Sequence, residues 1–443
     1  MDDKVREILR VRYAIEPVPE DVANTSLASQ PESRQTAYDV AKESIVLLKN
    51  DGSLLPLSKE VRKIAVIGQN AVLATALGGV GAGVKAPYEI TPLKGIQDKV
   101  GEEVEVVYCP GYKNFPGFRW WPVPAGSNPL EADAIDEPAD PALLAEAVAA
   151  AADADVVIFV CGTNKSIETE GSDRQSILFP AGQNEVAAAL AEANPNLVSV
   201  IISGGPLDLR ELEPVSPAIV QGWWNGLEGG HALADVLFGD IAPSGKLPFT
   251  FPAQLEDSPA YAMGNFPNKV EAQGDLFTDQ YRQDLGGQRG RRPMMAPDSK
   301  YTEGPLVGYR WFDTKGVKPM YAFGHGLSYV DFGYANISAS AKKGTVKVTF
   351  DLTNEGEMDA DEVAQLYVRR IDASVEWPDK ELKAFGRIKL AAGETRRVTL
   401  EVPVDNLRYW SEEQGGWALE HGTVEILVGS ASDDIRLKTT VKI

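Results

Sequence analysis

The chain has 443 residues, 44% of them hydrophobic, and 64 acidic against 43 basic side chains leave a net charge of −21. That length asks for two or three domains, and that charge repels phosphate backbones and anionic headgroups, which argues against nucleic acid and membrane as partners. Three histidines and two cysteines give a zinc enzyme or a histidine-based hydrolase little to work with, so no metal site is expected.

The N-terminal stretch 1–11 has no apolar h-region and does not read as a signal peptide. It reads as a short amphipathic helix with Val5, Ile8, Leu9 and Val11 on one side, and so short a helix needs a partner surface. Between about 60 and 255, strand-like runs at 63–68, 104–109, 155–161, 197–203 and 218–222 alternate with helical segments at 141–152, 183–193 and 229–238. The runs are continuous in Val and Ile, as in strands buried on both faces, and none is long enough to cross a bilayer. The alternation predicts an α/β fold, a doubly wound, mostly parallel sheet sandwich whose ligands bind beyond the carboxyl ends of the strands. Cys109 and Cys161 close two of these runs and are expected as buried thiols. The Gly-, Pro- and Gln-rich stretch 254–300 breaks the pattern. It reads as a long surface connection packed on a neighbour or as an arm reaching a partner subunit in a homo-oligomer. From about 333, short alternating runs at 345–352, 363–369, 382–390, 396–404, 423–428 and 435–441 are separated by turns such as Asn354-Glu355-Gly356. These predict an all-β sandwich of the fibronectin-III-like kind, since no cysteine pair bridges the sheets. The expected division is 1–35 helix and linker, 36–253 α/β sandwich, 254–332 connection and 333–443 β-sandwich.

The stretch 162–174 follows directly on a buried strand, so it lies on a loop at a strand's carboxyl end. Glu168, Glu170, Asp173 and Arg174 crowd into it. It can be a solvated acidic loop stiffened by a Glu–Arg or Asp173–Arg174 pair, or a site of acid–base chemistry. The glycines of 78–83 come too late after the first strand to form a dinucleotide fingerprint; they read as a loop lining a pocket, and no cofactor is expected. Phe115, Phe118, Trp120 and Trp121 stand among Pro and Gly residues, where aromatic faces either stack on sugar rings or fill a domain interface.

Several segments resemble the C-terminal α/β-sandwich and fibronectin-III-like domains of family 3 glycoside hydrolases, the β-glucosidase and β-xylosidase group. They are the stretch 41–50, Leu54-Leu55-Pro56-Leu57, Ala65-Val66-Ile67-Gly68, Thr91-Pro92-Leu93, Ser244-Gly245-Lys246-Leu247-Pro248, 307–312 and 323–329, which fall in the family's order over nearly the whole chain. The resemblance implies that Glu170, in Glu170-Gly171-Ser172-Asp173-Arg174, is the catalytic acid/base, with Glu168 as runner-up, and that Trp120 and Trp121 are substrate-binding candidates. It also implies that the nucleophilic aspartate belongs to an N-terminal (β/α)8 barrel, which the chain does not contain and which would be supplied in cis or in trans; the first helix looks like that barrel's last element. Ala82 stands where many relatives place a serine. The reaction implied is retaining hydrolysis of a small oligosaccharide or glycoside with terminal β-linked glucose or xylose. In such an enzyme two carboxyl groups about 5–5.5 Å apart flank the anomeric carbon. Around Glu170, Glu168 and Asp173 push its pKa up while Arg174 pulls it down. Two rival readings are a non-catalytic sugar-binding or scaffolding protein and an unrelated nucleotide-binding α/β protein.

Overall fold

The computed structural model describes residues 2–15, 30–75, 86–113, 137–164, 167, 168, 174, 176–266 and 301–443. Helix α1 (Asp2–Ala14) has no buried residue, and Val5, Ile8, Leu9 and Val11 all lie open on its surface. Helix α2 (Pro31–Ser44) starts with proline in its first turn, which costs no hydrogen bond, and hands the chain to an edge strand, β1 (Val46–Asn50).

Five more strands complete the first sheet: β2 (Lys63–Ile67), β3 (Glu105–Cys109), β4 (Val156–Gly162), β5 (Leu197–Ile202) and β6 (Ala218–Gln221). The order is β1-β6-β5-β4-β2-β3, parallel throughout except that β1 runs against β6. The expected mostly parallel sheet is thus present with one antiparallel edge. Successive side chains go to opposite faces. Val157, Phe159 and Cys161 of β4 pack under α4 (Pro141–Ala152) and α5 (Gln183–Ala193). Val156, Ile158 and Val160 pack on the other face with α2, α3 (Pro92–Val100) and α6 (Gly229–Leu237). Both faces are covered, which is why these runs show no polar alternation. Cys109 and Cys161 are free, buried thiols, as expected.

Beyond a single-turn helix α7 (Pro259–Ala262) and α8 (Tyr309–Lys315), the chain forms a β-sandwich. One sheet contains β10 (Glu381–Leu390), β9 (Ala360–Arg370), β14 (Thr423–Gly429) and β15 (Ile435–Lys442) in that order. The other contains β11 (Thr395–Pro403), β8 (Thr345–Asn354) and β7 (Phe332–Lys342). A separate hairpin joins β12 (Tyr409–Ser411) and β13 (Gly416–Ala418). Strand β8 sends Val346, Val348, Phe350 and Leu352 inward at every second position, against Leu366 and Val368 of β9. This is the all-β fibronectin-III-like fold expected from the alternating runs.

The stretch 321–329 ties the two domains together. Leu327 N–H donates to Leu47 O of β1 at 2.8 Å, and Gly324 N–H donates to Leu247 O at 2.8 Å. Lys246 Nζ donates to Gly326 O at 2.7 Å and lies 3.3 Å from Glu362 of β9, where Tyr334 OH also donates at 2.9 Å. Lys246 and Glu362 are both nearly buried, so each charge relies on the other. His325 stacks on Tyr321 at 4.8 Å, and its Nε2 lies 2.9 Å from Leu48 O. A carbonyl only accepts, so that nitrogen carries the proton. Burial holds the imidazole pKa below 6.5. The unfolded chain therefore takes up a proton that the folded one refuses, and this contribution to stability is complete above pH 6.5 and declines as the pH falls below it. Unfolding measured from about pH 7.5 down to 5.5 should cost the native chain more stability than a His325→Gln variant. Identical pH slopes for the two would refute the assignment.

Candidate functional site

At the carboxyl ends of β2, β4, β5 and β6, buried polar side chains gather beside the apolar interior. Gln183, buried at the start of α5, grips the last residue of β4: Gly162 N–H donates to Gln183 Oε1 at 2.7 Å, and Gln183 Nε2 donates to Gly162 O at 3.0 Å. Gly162 has φ +127°, and a Cβ there would sit 2.1 Å from Ile202 O, so β4 and β5 close on each other only with glycine at this point. Asn70, just past β2, donates to Thr163 O at 2.7 Å and accepts from Tyr112 OH at 2.6 Å. Burial raises the Tyr112 hydroxyl well above its ordinary pKa, so it stays a proton donor. On β6, Gln221 Nε2 donates to Ser203 O at 3.1 Å, fixing the end of β5. Together these bonds pin the two chain segments that leave the sheet beside each other.

The acidic loop starts from this pinned end. Ile167 and Glu168 N–H groups donate to Asn164 O at 3.0 and 2.9 Å, forming a turn that directs Glu168 inward. Glu168 Oε2 accepts from Gly204 N–H at 2.7 Å, and Glu168 Oε1 lies 3.3 Å from Arg174 Nη1. Arg174 Nη2 in turn donates to Pro206 O at 3.0 Å. The side chains of Glu168 and Arg174 keep only 14% and 17% of their surface. A Cβ on Gly204 would meet Glu168 at 2.7 Å and one on Gly205 would meet Arg174 at 2.8 Å, so this glycine pair forms the shelf on which both rest. Burial lowers the guanidinium pKa and the Glu168 carboxylate opposes that. A Glu–Arg pair, Glu168 with Arg174, is therefore present in the loop, and it is buried beside the end of β5 and not out in solvent.

Glu170, with Gly171, Ser172 and Asp173, lies outside the described residues, as do Trp120, Trp121 and the glycines of 78–83. In sequence Glu170 falls between two ends of the loop that are both held on one shelf. Glu168, the runner-up for the acid/base, spends its carboxylate on Arg174 and Gly204. Nearby, Asn70, Thr91, Trp223, Asn225 and Gly229 line a pocket at the same sheet edge. Trp223 is held at φ +56°, uncommon for a bulky residue, while its Nε1 donates to Ser44 O at 2.8 Å. Among the described residues no group of three or more His, Cys, Asp or Glu is placed to hold a metal ion. No helix among them is long and apolar enough to cross a membrane. Sequence reasoning missed Gln183, Asn70 and Gln221. The one available signal was a polar residue at or just past the end of an apolar run, which marks Gln221 and Asn70 but not Gln183.

Removing Glu168 leaves Arg174 facing the shelf with a single carbonyl partner. A broken buried pair costs 3–5 kcal/mol; with some water contact retained, on the order of 2–3 kcal/mol is expected here, spent on local opening of the loop. Glu168→Ala should make the Arg174 peptide bond at least about tenfold more sensitive to trypsin, with little change in overall melting. Unchanged cleavage would show that the pair does not hold the loop.

Residues 45–329 match the glycosyl hydrolase family 3 C-terminal domain, and residues 362–432 match the fibronectin type III-like domain. Beta-glucosidase BoGH3A of Bacteroides ovatus is 36% identical over 91% of this chain and 51% of its own length. An exo-alpha-(1->6)-L-arabinopyranosidase of Bifidobacterium breve is 35% identical over 92% of this chain and 48% of its own. The crystal structure of a Bifidobacterium adolescentis GH3 beta-glucosidase superposes with a TM-score of 0.77 at 32% identity, covering 93% of this chain and 53% of that one. The chain thus spans about half the length of the curated relatives it matches. The matched domains, in this order and over this extent, make the chain a member of glycosyl hydrolase family 3.

Proposed function

We propose that this chain supplies the general acid/base of a retaining β-glycosidase, with Glu170 in that role and the nucleophile coming from a (β/α)8 barrel in cis or in trans. The observation that carries this reading is the intact Glu170-Gly171-Ser172-Asp173-Arg174 motif on a loop whose ends, Glu168 and Arg174, are clamped at the carboxyl edge of the sheet. Ligands of such sheets bind at that edge. Glu170 then donates its proton to the leaving oxygen and, once a glycosyl-enzyme has formed, takes one from the attacking water.

Terminal β-linked glucose is the favoured substrate because the similar proteins include beta-glucosidases, and xylose is the alternative. An exo-alpha-(1->6)-L-arabinopyranosidase matches over the same half, so the match does not by itself fix the sugar. Trp120 and Trp121 are proposed to stack on the leaving part of the substrate. By themselves the 443 residues are not expected to hydrolyse aryl β-glycosides, because an acid without a nucleophile forms no covalent intermediate.

The test pairs Glu170→Ala with Glu168→Ala in enzyme completed by the barrel. Loss of an acid/base is worth about 10²–10⁴-fold on substrates with poor leaving groups. Activated aryl glycosides should be much less affected in the first step, and azide should restore turnover by attacking the glycosyl-enzyme directly. Glu168→Ala should lower activity without that leaving-group dependence and without azide rescue. The reverse pattern would make Glu168 the acid/base; the pattern in neither variant would remove the role from this loop.

A further inference from the structure

On the β12–β13 hairpin Trp410 and Trp417 are direct cross-strand partners, and they remain 56% and 66% exposed. Their rings meet edge to face at 5.8 Å and 84°, an arrangement that stiffens a hairpin. Yet the hairpin is already held from its inner side. Tyr409 packs edge-on against Trp377 at 5.9 Å, and the Arg370 guanidinium lies 4.5 Å over that indole. Arg370 also donates to Leu407 O and, at 3.1 Å, to Glu420 O. Anchorage of the hairpin therefore does not require two indoles on its outer face.

What surrounds them restricts the ligand. The connecting turn exposes Glu412, Glu413 and Gln414. The two arginines that flank the hairpin offer no free charge: Arg370 is buried beside Glu420, and Arg408 pairs with Asp405 at 2.7 Å. An anion is repelled here, all the more by a chain of net charge −21. With whole indoles of up to about 250 Å², the open surface is roughly 300 Å². A stable dimer needs about 800 Å² per partner, so a second copy is poorly matched to the patch.

We propose that this face binds a neutral glycan chain, the indoles stacking on pyranose rings and the turn's carboxylates and amide bonding to hydroxyls. The proposal stands whether or not Glu170 is the acid/base. The full 443-residue chain should be titrated with soluble mixed-linkage β-glucan, xylan and cellotetraose, with dextran sulfate as the polyanion, while acrylamide quenching of tryptophan fluorescence is followed. A neutral glycan should protect part of the fluorescence, and Trp410→Ala or Trp417→Ala should weaken its binding at least about tenfold. Trp410→Tyr and Trp417→Tyr should weaken it less than about threefold, which keeps the test valid if an alanine variant unfolds. The proposal is overturned if no neutral glycan binds, if the alanine variants fold and bind like the native chain, or if dextran sulfate binds better. It is equally overturned if the native chain forms a concentration-dependent dimer that the variants lose.

Discussion

Burial of the central strands on both faces is the constraint from which the rest of this architecture follows. A strand such as β4 has no side chain left over for chemistry, because every one is committed to one helical layer or the other. Polar groups can enter only where strands end, and their backbone must be satisfied there without water. Gln183, Asn70 and Gln221 do this work at the carboxyl edge, each replacing a lost ladder partner for a neighbouring strand end. The segments that leave the sheet therefore start from fixed positions.

The acidic loop takes advantage of that rigidity. An arginine and a glutamate close to each other along a loop could pair in many geometries, most of them in solvent and worth little. Here two glycines remove the side chains that would hold the pair off the sheet, and the pair settles on backbone groups of known position. The two residues that bracket Glu170 in sequence are thereby anchored on one shelf.

Much of the fold was legible because the physics involved is local. Apolar runs marked β2 through β6, and the Ala/Leu pattern after Pro141 marked α4 to its observed ends. Strand β1 was not set out as a strand, since its apolar run continues straight from α2 without a breaker and its direction depends on pairing with the distant β6. Strand β7 escaped because Gly333, Ala335, Ser338 and Ser340 dilute its alternation. The site divides in the same way. The crowding of charge at 168–174 was visible, but which acid meets Arg174 depends on the shelf that β5 places beside β4. Gln183 and Tyr112 act through partners far off in the chain, and no local pattern announces them.

The strap 321–329 has a role beyond joining two domains. Strand β1 is an edge of the first sheet, and an uncovered edge offers its unpaired backbone to any extended chain nearby. Leu327 occupies Leu47 O, and His325 occupies Leu48 O from its ring. The same residues that bring the β-sandwich into place thus withdraw the edge from intermolecular pairing. One stretch of chain both seats the β-sandwich and covers this edge, and a change that loosens the junction would expose the edge to intermolecular pairing.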